Sequence, residues 1–147
     1  MQHIIFAASI LGLVLAPSIV RAQDVSGPAH AVDGDTLNMA GIVVRLHGMD
    51  APELNQGCVR AGAPWTCGRE AAGKLSTLVA DQSVRCEQRD IDDYGRIVAT
   101  CRIGHTDLSA AMIDAGLAVA LPHFSTFYVA NEARARGRRI GLWDSEF

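Results

Sequence analysis

The chain of 147 residues lacks an excess of positive charge, because 13 lysines and arginines stand against 16 aspartates and glutamates. Its formal net charge of −3 becomes −4 if the first 22 residues, which include Arg21, are removed. High-affinity, non-specific binding to duplex nucleic acid depends on cations that neutralise phosphates. The sequence therefore argues against that class of protein. If a nucleic acid is the substrate, local arginines must offset the unfavourable overall charge.

Internal repeats, low-complexity segments and C-x-x-C pairs are also absent from the sequence. A chain of this length without repeats indicates a single domain. The missing C-x-x-C pairs and the spacing of the cysteines leave a four-cysteine zinc site as the minor alternative. Four cysteines in so small a domain favour disulfides formed in an oxidising compartment.

The pairing of these cysteines is not fixed by their number, since four cysteines allow three connectivities. Residues 84–88 and 97–103 have the pattern of two hairpin arms around the sequence D-D-Y-G. Partners in an antiparallel pair have a constant sum of residue numbers, which places Cys86 opposite Cys101. This geometry favours a Cys86–Cys101 disulfide, and Cys58 and Cys67 would then close the loop between them.

The first 22 residues differ from the rest of the chain, because residues 4–20 are almost all apolar. That run is near the lower limit of a membrane-spanning helix, roughly 17–25 residues. It ends in V-R-A before Gln23, which fits a signal-peptidase site. We expect residues 1–22 to be a cleaved signal peptide and residues 23–147 to be one domain, secreted or periplasmic and not in the membrane. An uncleaved anchor and a buried core helix remain alternatives.

Short strands precede the helices along the mature chain. Alternating apolar residues and turn dipeptides predict strands at residues 28–32, 36–39, 42–48, 84–88 and 97–103. Helical periodicity and capping residues predict helices at residues 68–79, 107–115 (with Thr106 as N-cap) and 127–136. This order predicts a mainly β fold, a five-stranded Greek-key barrel of the OB type with about three α-helices. Such a fold does not by itself decide the function.

Two carboxylates are expected to meet at one end of this barrel. Asp35 in D-G-D-T and Asp50 in G-M-D-A-P-E flank two strands joined by an Ala-Gly turn, and they lie at the same end counted from that turn. Carboxylates that converge without a cationic partner repel each other, which suits a hard divalent cation. Calcium is favoured over magnesium, because it accepts irregular geometry and backbone carbonyls. The alternative is that both aspartates only shape turns.

Three further residues have the chemistry of phosphodiester hydrolysis. Glu53 follows Pro52, whose stiff turn would hold the carboxylate near the metal as a general base acting through water. Arg45 in mid-strand and Arg96 in D-D-Y-G-R offer bidentate donors for the equatorial oxygens of the transition state. Taken singly, each of these side chains is more often an ordinary surface residue.

Five motifs in this order resemble the staphylococcal nuclease family over about residues 30–143: D-G-D-T, R-L-H-G-M-D-A-P-E, D-D-Y-G-R, G-L-A and G-L-W. The resemblance implies calcium-dependent hydrolysis of DNA or RNA to nucleotides with a 3′-phosphate. It implies that Asp35, Asp50 and the backbone carbonyl of Ala51 bind Ca²⁺. It also implies that the catalytic residues are Arg45, Glu53 and Arg96.

The chain departs from this family at residues that contact the substrate. Tyrosines that follow G-L-A in the family are replaced by V-A-L-P-H-F, and the basic residue before Y-G-R is Asp93. Phe124 and Tyr128 are candidates for base stacking. A nucleic acid is expected as substrate, with no stable protein partner and a monomeric state. Two alternatives stay open: a non-catalytic OB-fold binding module, and a protein linked to exopolysaccharide (succinoglycan) biosynthesis.

Overall fold

A computed structural model describes residues 23–144, so the expected signal peptide at residues 1–22 lies outside the described residues. Its strands are β1 (Val25–Gly27), β2 (His30–Ala31), β3 (Thr36–Met39), β4 (Ile42–Leu46), β5 (Met49–Asp50), β6 (Cys58–Arg60), β7 (Ala63–Trp65), β8 (Val84–Ile91), β9 (Ile97–Ile103), β10 (Thr106–Asp107) and β11 (Val119–Ala120). Its α-helices are α1 (Cys67–Val79), α2 (Leu108–Asp114) and α3 (Val129–Arg138). None of the helices in this range is both long and apolar enough to cross a membrane.

One sheet contains most of the strands, with neighbours in the order β1-β8-β9-β4-β3-β2 and with β10 paired to β9. The β4–β9 pair is parallel and the other pairs are antiparallel. Strand β1, at one end of this order, also approaches β3 near the other end, so the sheet curls back on itself. The predicted architecture, mainly β with three helices and of the OB type, is confirmed.

The five predicted strands correspond to β2, β3, β4, β8 and β9. The strands that the sequence did not predict have two or three residues each, too few to show an alternating pattern. Two of them form the β6–β7 hairpin between β5 and α1. Two helix starts were also placed wrongly. Asp107, not Thr106, caps α2 by accepting a hydrogen bond from the Ala110 amide, and a 3₁₀ turn at Thr126–Tyr128 precedes α3.

Both predicted disulfides are present, and no cysteine is free among the described residues. Cys86 and Cys101 are direct partners in the β8–β9 register, with Cα atoms 4.0 Å apart. Both are fully buried in the core that the sheet and helices share. The second disulfide, Cys58–Cys67, ties the β6–β7 hairpin to the start of α1.

Two glycines allow α1 to pack directly against the loops that carry the candidate site. A Cβ atom on Gly34 would lie 2.7 Å from the Cβ atoms of Ala51 and Ala71. A Cβ atom on Gly68 would overlap the carbonyl oxygen of Glu53. Both positions therefore need glycine for close approach rather than for an unusual backbone angle.

We predict opposite effects for two glycine-to-alanine substitutions in α1. Gly68→Ala should lower the free energy of unfolding by about 1–3 kcal/mol, because the new methyl group meets backbone of the Glu53 loop. Gly73→Ala is the matched control, since Gly73 is exposed and a Cβ there would have no atom within 4 Å. It should stabilise by about 0.5–1 kcal/mol. Urea unfolding measures both, and equal effects would contradict the packing described.

Candidate active site

The β3–β4 hairpin and the β5 strand bring together the first three candidate residues. Asp35 immediately precedes β3, and Arg45 in β4 lies opposite Thr36 in the register. The Leu46 amide donates a hydrogen bond of 2.8 Å to the Asp35 carbonyl, which fixes the start of β3 against β4. Asp50 ends β5 a few residues further along the chain. The two aspartates therefore converge at one end of the hairpin, as the sequence predicts.

Arg45 stands between these two carboxylates. Its Nη2 atom lies 2.6 Å from Asp50 Oδ1 and 3.2 Å from Asp35 Oδ2, and its Nη1 atom lies 3.2 Å from Asp35 Oδ1. The expectation that the carboxylates meet without a cationic partner is wrong, because one guanidinium contacts both. The sequence analysis assigned Arg45 only to the oxygens of the transition state and therefore missed this contact.

Asp35 is the most enclosed member of the group, with only 5% of its side chain exposed. Its carboxylate also accepts hydrogen bonds from the Thr36 hydroxyl at 2.8 Å and the Ala51 amide at 3.2 Å. Burial raises the pKa of Asp35 to about 6, although the charge of Arg45 opposes this shift. Burial opposes ionisation of Arg45 too, but the charges of Asp35 and Asp50 raise its pKa.

Arg96 is held at the tip of the β8–β9 hairpin by Asp92. Its Nε atom donates to Asp92 Oδ2 at 2.7 Å, and the Arg96 and Tyr94 amides donate to Oδ1. Desolvation raises the pKa of Asp92, but these hydrogen bonds outweigh that effect and lower the pKa below its usual value. A cavity of about 330 Å³ is lined by Arg96, Arg45, Tyr94 and Phe124. The two arginines that the sequence singled out therefore face one cavity.

Glu53 lies on the loop after β5, and the structure fixes its backbone rather than its carboxylate. The Glu53 amide donates to the Gln56 side chain at 3.1 Å, and the Gln56 amide donates to the Glu53 carbonyl at 2.8 Å. That carbonyl also abuts Gly68 of α1. The carboxylate forms no hydrogen bond or ion pair within residues 23–144, so it does not contact Asp35 or Arg45 directly.

The donor atoms fit a hard cation, but they do not form a centre of three acidic or histidine side chains. Residues 23–144 contain no group of three or more His, Cys, Asp or Glu side chains placed to hold a metal. Asp35, Asp50 and the Ala51 carbonyl offer oxygen atoms only, which is the ligand type that calcium prefers. The point where the carboxylates converge already accommodates positive charge, that of Arg45 Nη2.

Aromatic residues at this site were only partly foreseen. Tyr128 is buried, and its hydroxyl donates to Asp107, so it is not the stacking residue that the sequence suggested. Phe124 lines the cavity with 65% of its surface exposed, as does Tyr94 with 85%. Tyr94 was missed as a candidate although it lies inside the D-D-Y-G-R motif. The sequence does not show that Tyr94 is exposed next to Arg96, and this exposure is what makes it a candidate.

Comparison with known proteins assigns the chain to a family. Residues 43–145 match the family model described as staphylococcal nuclease homologue, and the chain therefore belongs to that family. Succinoglycan biosynthesis protein ExoI of Rhizobium meliloti (strain 1021) is 34% identical over 143 residues, which are 95% of this chain and 75% of that protein. An uncharacterized endonuclease of Haemophilus influenzae is 26% identical over 149 residues, 97% of this chain and 79% of that protein.

This chain spans less than half of another relative. The probable endonuclease LCL3 of Verticillium alfalfae is 34% identical over 121 residues, which are 72% of this chain but only 41% of that protein. The family and the relatives named as endonucleases support a nuclease function in general, and thus the hydrolase class of enzyme.

We predict that Arg45 is a large contributor to stability when metal is absent. Arg45→Gln leaves the buried Asp35 carboxylate without its counter-charge and should lower the free energy of unfolding by about 3 kcal/mol. Arg138 is an exposed arginine at the end of α3, so Arg138→Gln should change the free energy of unfolding by less than about 0.5 kcal/mol. Urea unfolding in a chelator measures both.

The double variant Asp35→Asn/Arg45→Gln tests whether the contact between these two charges is the source of the stability. Removing both charges should cost less than the sum of the two single substitutions, because residues in contact are coupled. Additive effects, or an Arg45→Gln protein as stable as the wild type, would show that the bridge is not a stabilising interaction.

Proposed function

We propose that this protein is a calcium-dependent nuclease, an endonuclease or phosphodiesterase that hydrolyses DNA or RNA by attack of water on phosphorus. The observation that carries the proposal is the convergence of Asp35 and Asp50 on one guanidinium, that of Arg45. A second arginine, Arg96, lines the cavity beside it. This chemistry requires carboxylate oxygens that bind a cation and cationic donors that bind a phosphate. Both kinds of group are close together at this site.

Asp35, Asp50 and the backbone carbonyl of Ala51 would hold the calcium ion. When bound, the ion would neutralise phosphate charge and make a water molecule more acidic. Asp35 is almost completely buried and has a raised pKa, so it differs from an ordinary surface carboxylate. Hydrogen bonds from Thr36 and Ala51 fix its position. The family in general supports calcium as the cation.

Arg45 and Arg96 would bind the phosphate that is cleaved. Each guanidinium presents parallel N–H donors that match two oxygens of one phosphate. Arg96 is oriented through its Nε atom by Asp92 at 2.7 Å, so the hydrogen bond to Asp92 leaves its two terminal nitrogens available. Arg96 is thus already in place where negative charge would develop, which lowers the barrier without reorganisation. The Arg45 donors contact Asp35 and Asp50, and binding of calcium by these carboxylates would make them available to the phosphate.

Glu53 would act as the general base that takes a proton from the attacking water. Its carboxylate has no competing partner within the described part of the chain, whereas the Gln56 side chain and α1 hold its backbone in place. A base needs a free acceptor oxygen on a fixed support, and Glu53 has both.

The cysteines support a place of action outside the cytoplasm, because two disulfides persist in oxidising compartments. We propose a secreted or periplasmic protein in which residues 1–22 are a signal peptide and residues 23–147 act as one monomeric domain. A role linked to exopolysaccharide biosynthesis is a second candidate, because the relative in Rhizobium meliloti is named for succinoglycan biosynthesis. A non-catalytic binding module is the third.

We predict that cleavage needs both calcium and Glu53. Single-stranded DNA and RNA should be hydrolysed with calcium present, and a chelator should abolish the activity. Glu53→Gln should lower kcat by about 10²–10⁴-fold with little change in KM, because a general base acts in the chemical step. Asp81→Asn removes a carboxylate that is exposed and outside the site, and it should keep wild-type activity.

The outcomes of this assay separate the three candidates. Full activity in Glu53→Gln, or activity that survives the chelator, would contradict the proposed mechanism. Oligonucleotide binding without any turnover would favour the binding module instead. Loss of polymer production in the producing cell, with no effect on nucleic acid, would favour the role in exopolysaccharide biosynthesis.

A further inference from the structure

A second cavity, of about 350 Å³, adjoins the candidate active site along β8 and β9. His47 lines both cavities, Val98 lines the first, and Thr100 lines the second. Alternate residues of a strand point to the same face, so Val98 and Thr100 of β9 place the two cavities side by side. The second cavity therefore continues the surface on which Arg45 and Arg96 lie.

A β-bulge turns an arginine towards this second cavity. Gln88 pairs with Ala99 and Asp90 pairs with Val98, so Arg89 is the extra residue of β8. Bulges of this kind redirect a side chain and are frequent beside active sites. The Nε atom of Arg89 donates a hydrogen bond of 3.0 Å to the Thr100 hydroxyl, so both side chains lie on the same face.

Two further arginines share that face. Arg85 and Arg102 are direct partners in the β8–β9 register, and like charges opposite each other in a sheet are destabilising. Arg102 reaches Glu87 and Asp107 only at 3.7 Å, beyond hydrogen-bond distance, so these ion pairs leave its donors available. We name Arg85, Arg89 and Arg102 the arginine face.

This concentration of cations stands out in an acidic chain. Three of its 13 lysines and arginines occupy one face of one hairpin, although the formal net charge is −3. Glu87 is the counter-charge that Arg89 and Arg102 share, at 3.3 Å from Arg89 and 3.7 Å from Arg102. Arg102 also has Asp107 at 3.7 Å, so three arginines share two carboxylates, and this local excess of positive charge is suited to an anionic ligand.

We propose that the arginine face binds phosphates of a single-stranded polynucleotide next to the phosphate that is cleaved. This inference rests on the proposed nuclease function and assigns a second subsite to it. From Val98 to Arg102 the strand extends roughly 13 Å, which is longer than one nucleotide step of about 3.4 Å in a stacked strand. The substrate would therefore extend from Arg45 and Arg96 onto this face.

Exposed aromatic rings favour a single strand over a duplex. Phe124 in the first cavity and Phe127 in the second are 65% and 70% exposed. Rings of this kind stack on unpaired bases, while bases in a duplex are stacked on each other. Arg89 and Arg102 line the second cavity and supply positive charge beside these rings.

The test compares two substrates in calcium buffer: a single strand of about 20 nucleotides, longer than one OB-fold site, and a dinucleotide too short to reach the arginine face. The readout is the ratio of kcat/KM for the long substrate to that for the dinucleotide. In Arg89→Gln/Arg102→Gln this ratio should fall about tenfold. The slope of log kcat/KM for the long substrate against log salt should become shallower by about 0.7 for each arginine removed.

Two further variants make the result specific. Arg138→Gln/Arg139→Gln removes the same charge from the end of α3, away from both cavities, and should leave the ratio and the slope at their wild-type values. Glu87→Gln removes the shared counter-charge and should change both quantities in the direction opposite to the arginine variant. A purely structural role of the hairpin would not give effects of opposite sign.

The two proposals fail in different ways. If the wild type cleaves both substrates but Arg89→Gln/Arg102→Gln keeps the wild-type ratio and salt slope, the arginine face is overturned and the nuclease stands. If the wild type cleaves neither, the nuclease proposal fails. Fluorescence anisotropy with a labelled strand of the same length in a chelator then tests the face alone, and equal affinity of wild type and variant overturns it. Arg102→Gln alone replaces the double variant if that protein unfolds below the assay temperature.

Discussion

The ion bridge from Arg45 to Asp35 and Asp50 is the interaction on which the rest of the site depends. Two carboxylates on neighbouring segments would repel each other, and one of them is buried. The guanidinium offsets that repulsion and thereby lets the start of β3 and the end of β5 come together. The close approach of α1, which Gly34 and Gly68 permit, encloses the same region. The proposed cation site is thus kept assembled by a cation of the chain itself.

Long elements were predictable because their patterns are long enough to be read. The hairpin that pairs Cys86 with Cys101 followed from the spacing of two apolar segments around a turn, and the disulfide followed from the hairpin. The Ala-Gly turn of the β3–β4 hairpin likewise places Arg45 opposite Thr36, next to Asp35, but the direction in which the Arg45 side chain extends is not part of a local pattern, so its contact with both carboxylates was missed. A β-bulge adds one residue to a strand and has no characteristic sequence, so the face to which the Arg89 side chain points was not predicted either.

Charge in this protein is organised locally rather than globally. A formal net charge of −3 disfavours general attraction to nucleic acid, yet arginines gather on the face formed by β4, β8 and β9. Screening at physiological salt limits the reach of exposed charges to about 8 Å, so such a cluster acts mainly on a ligand already close to it. An acidic protein of this family can therefore act on a polyanion if the substrate is flexible enough to follow that face.

The most direct test of the central claim is a calorimetric titration of calcium into the metal-free wild-type protein and Asp35→Asn, with Asp81→Asn as the control carboxylate. The Asp35→Asn substitution keeps the size of the side chain while removing its charge, and circular dichroism checks that the variant is folded. The account predicts one calcium ion per chain for the wild type and for Asp81→Asn, and no measurable binding for Asp35→Asn. Equal calcium binding by all three proteins would contradict the claim that the carboxylates held by Arg45 form the metal site.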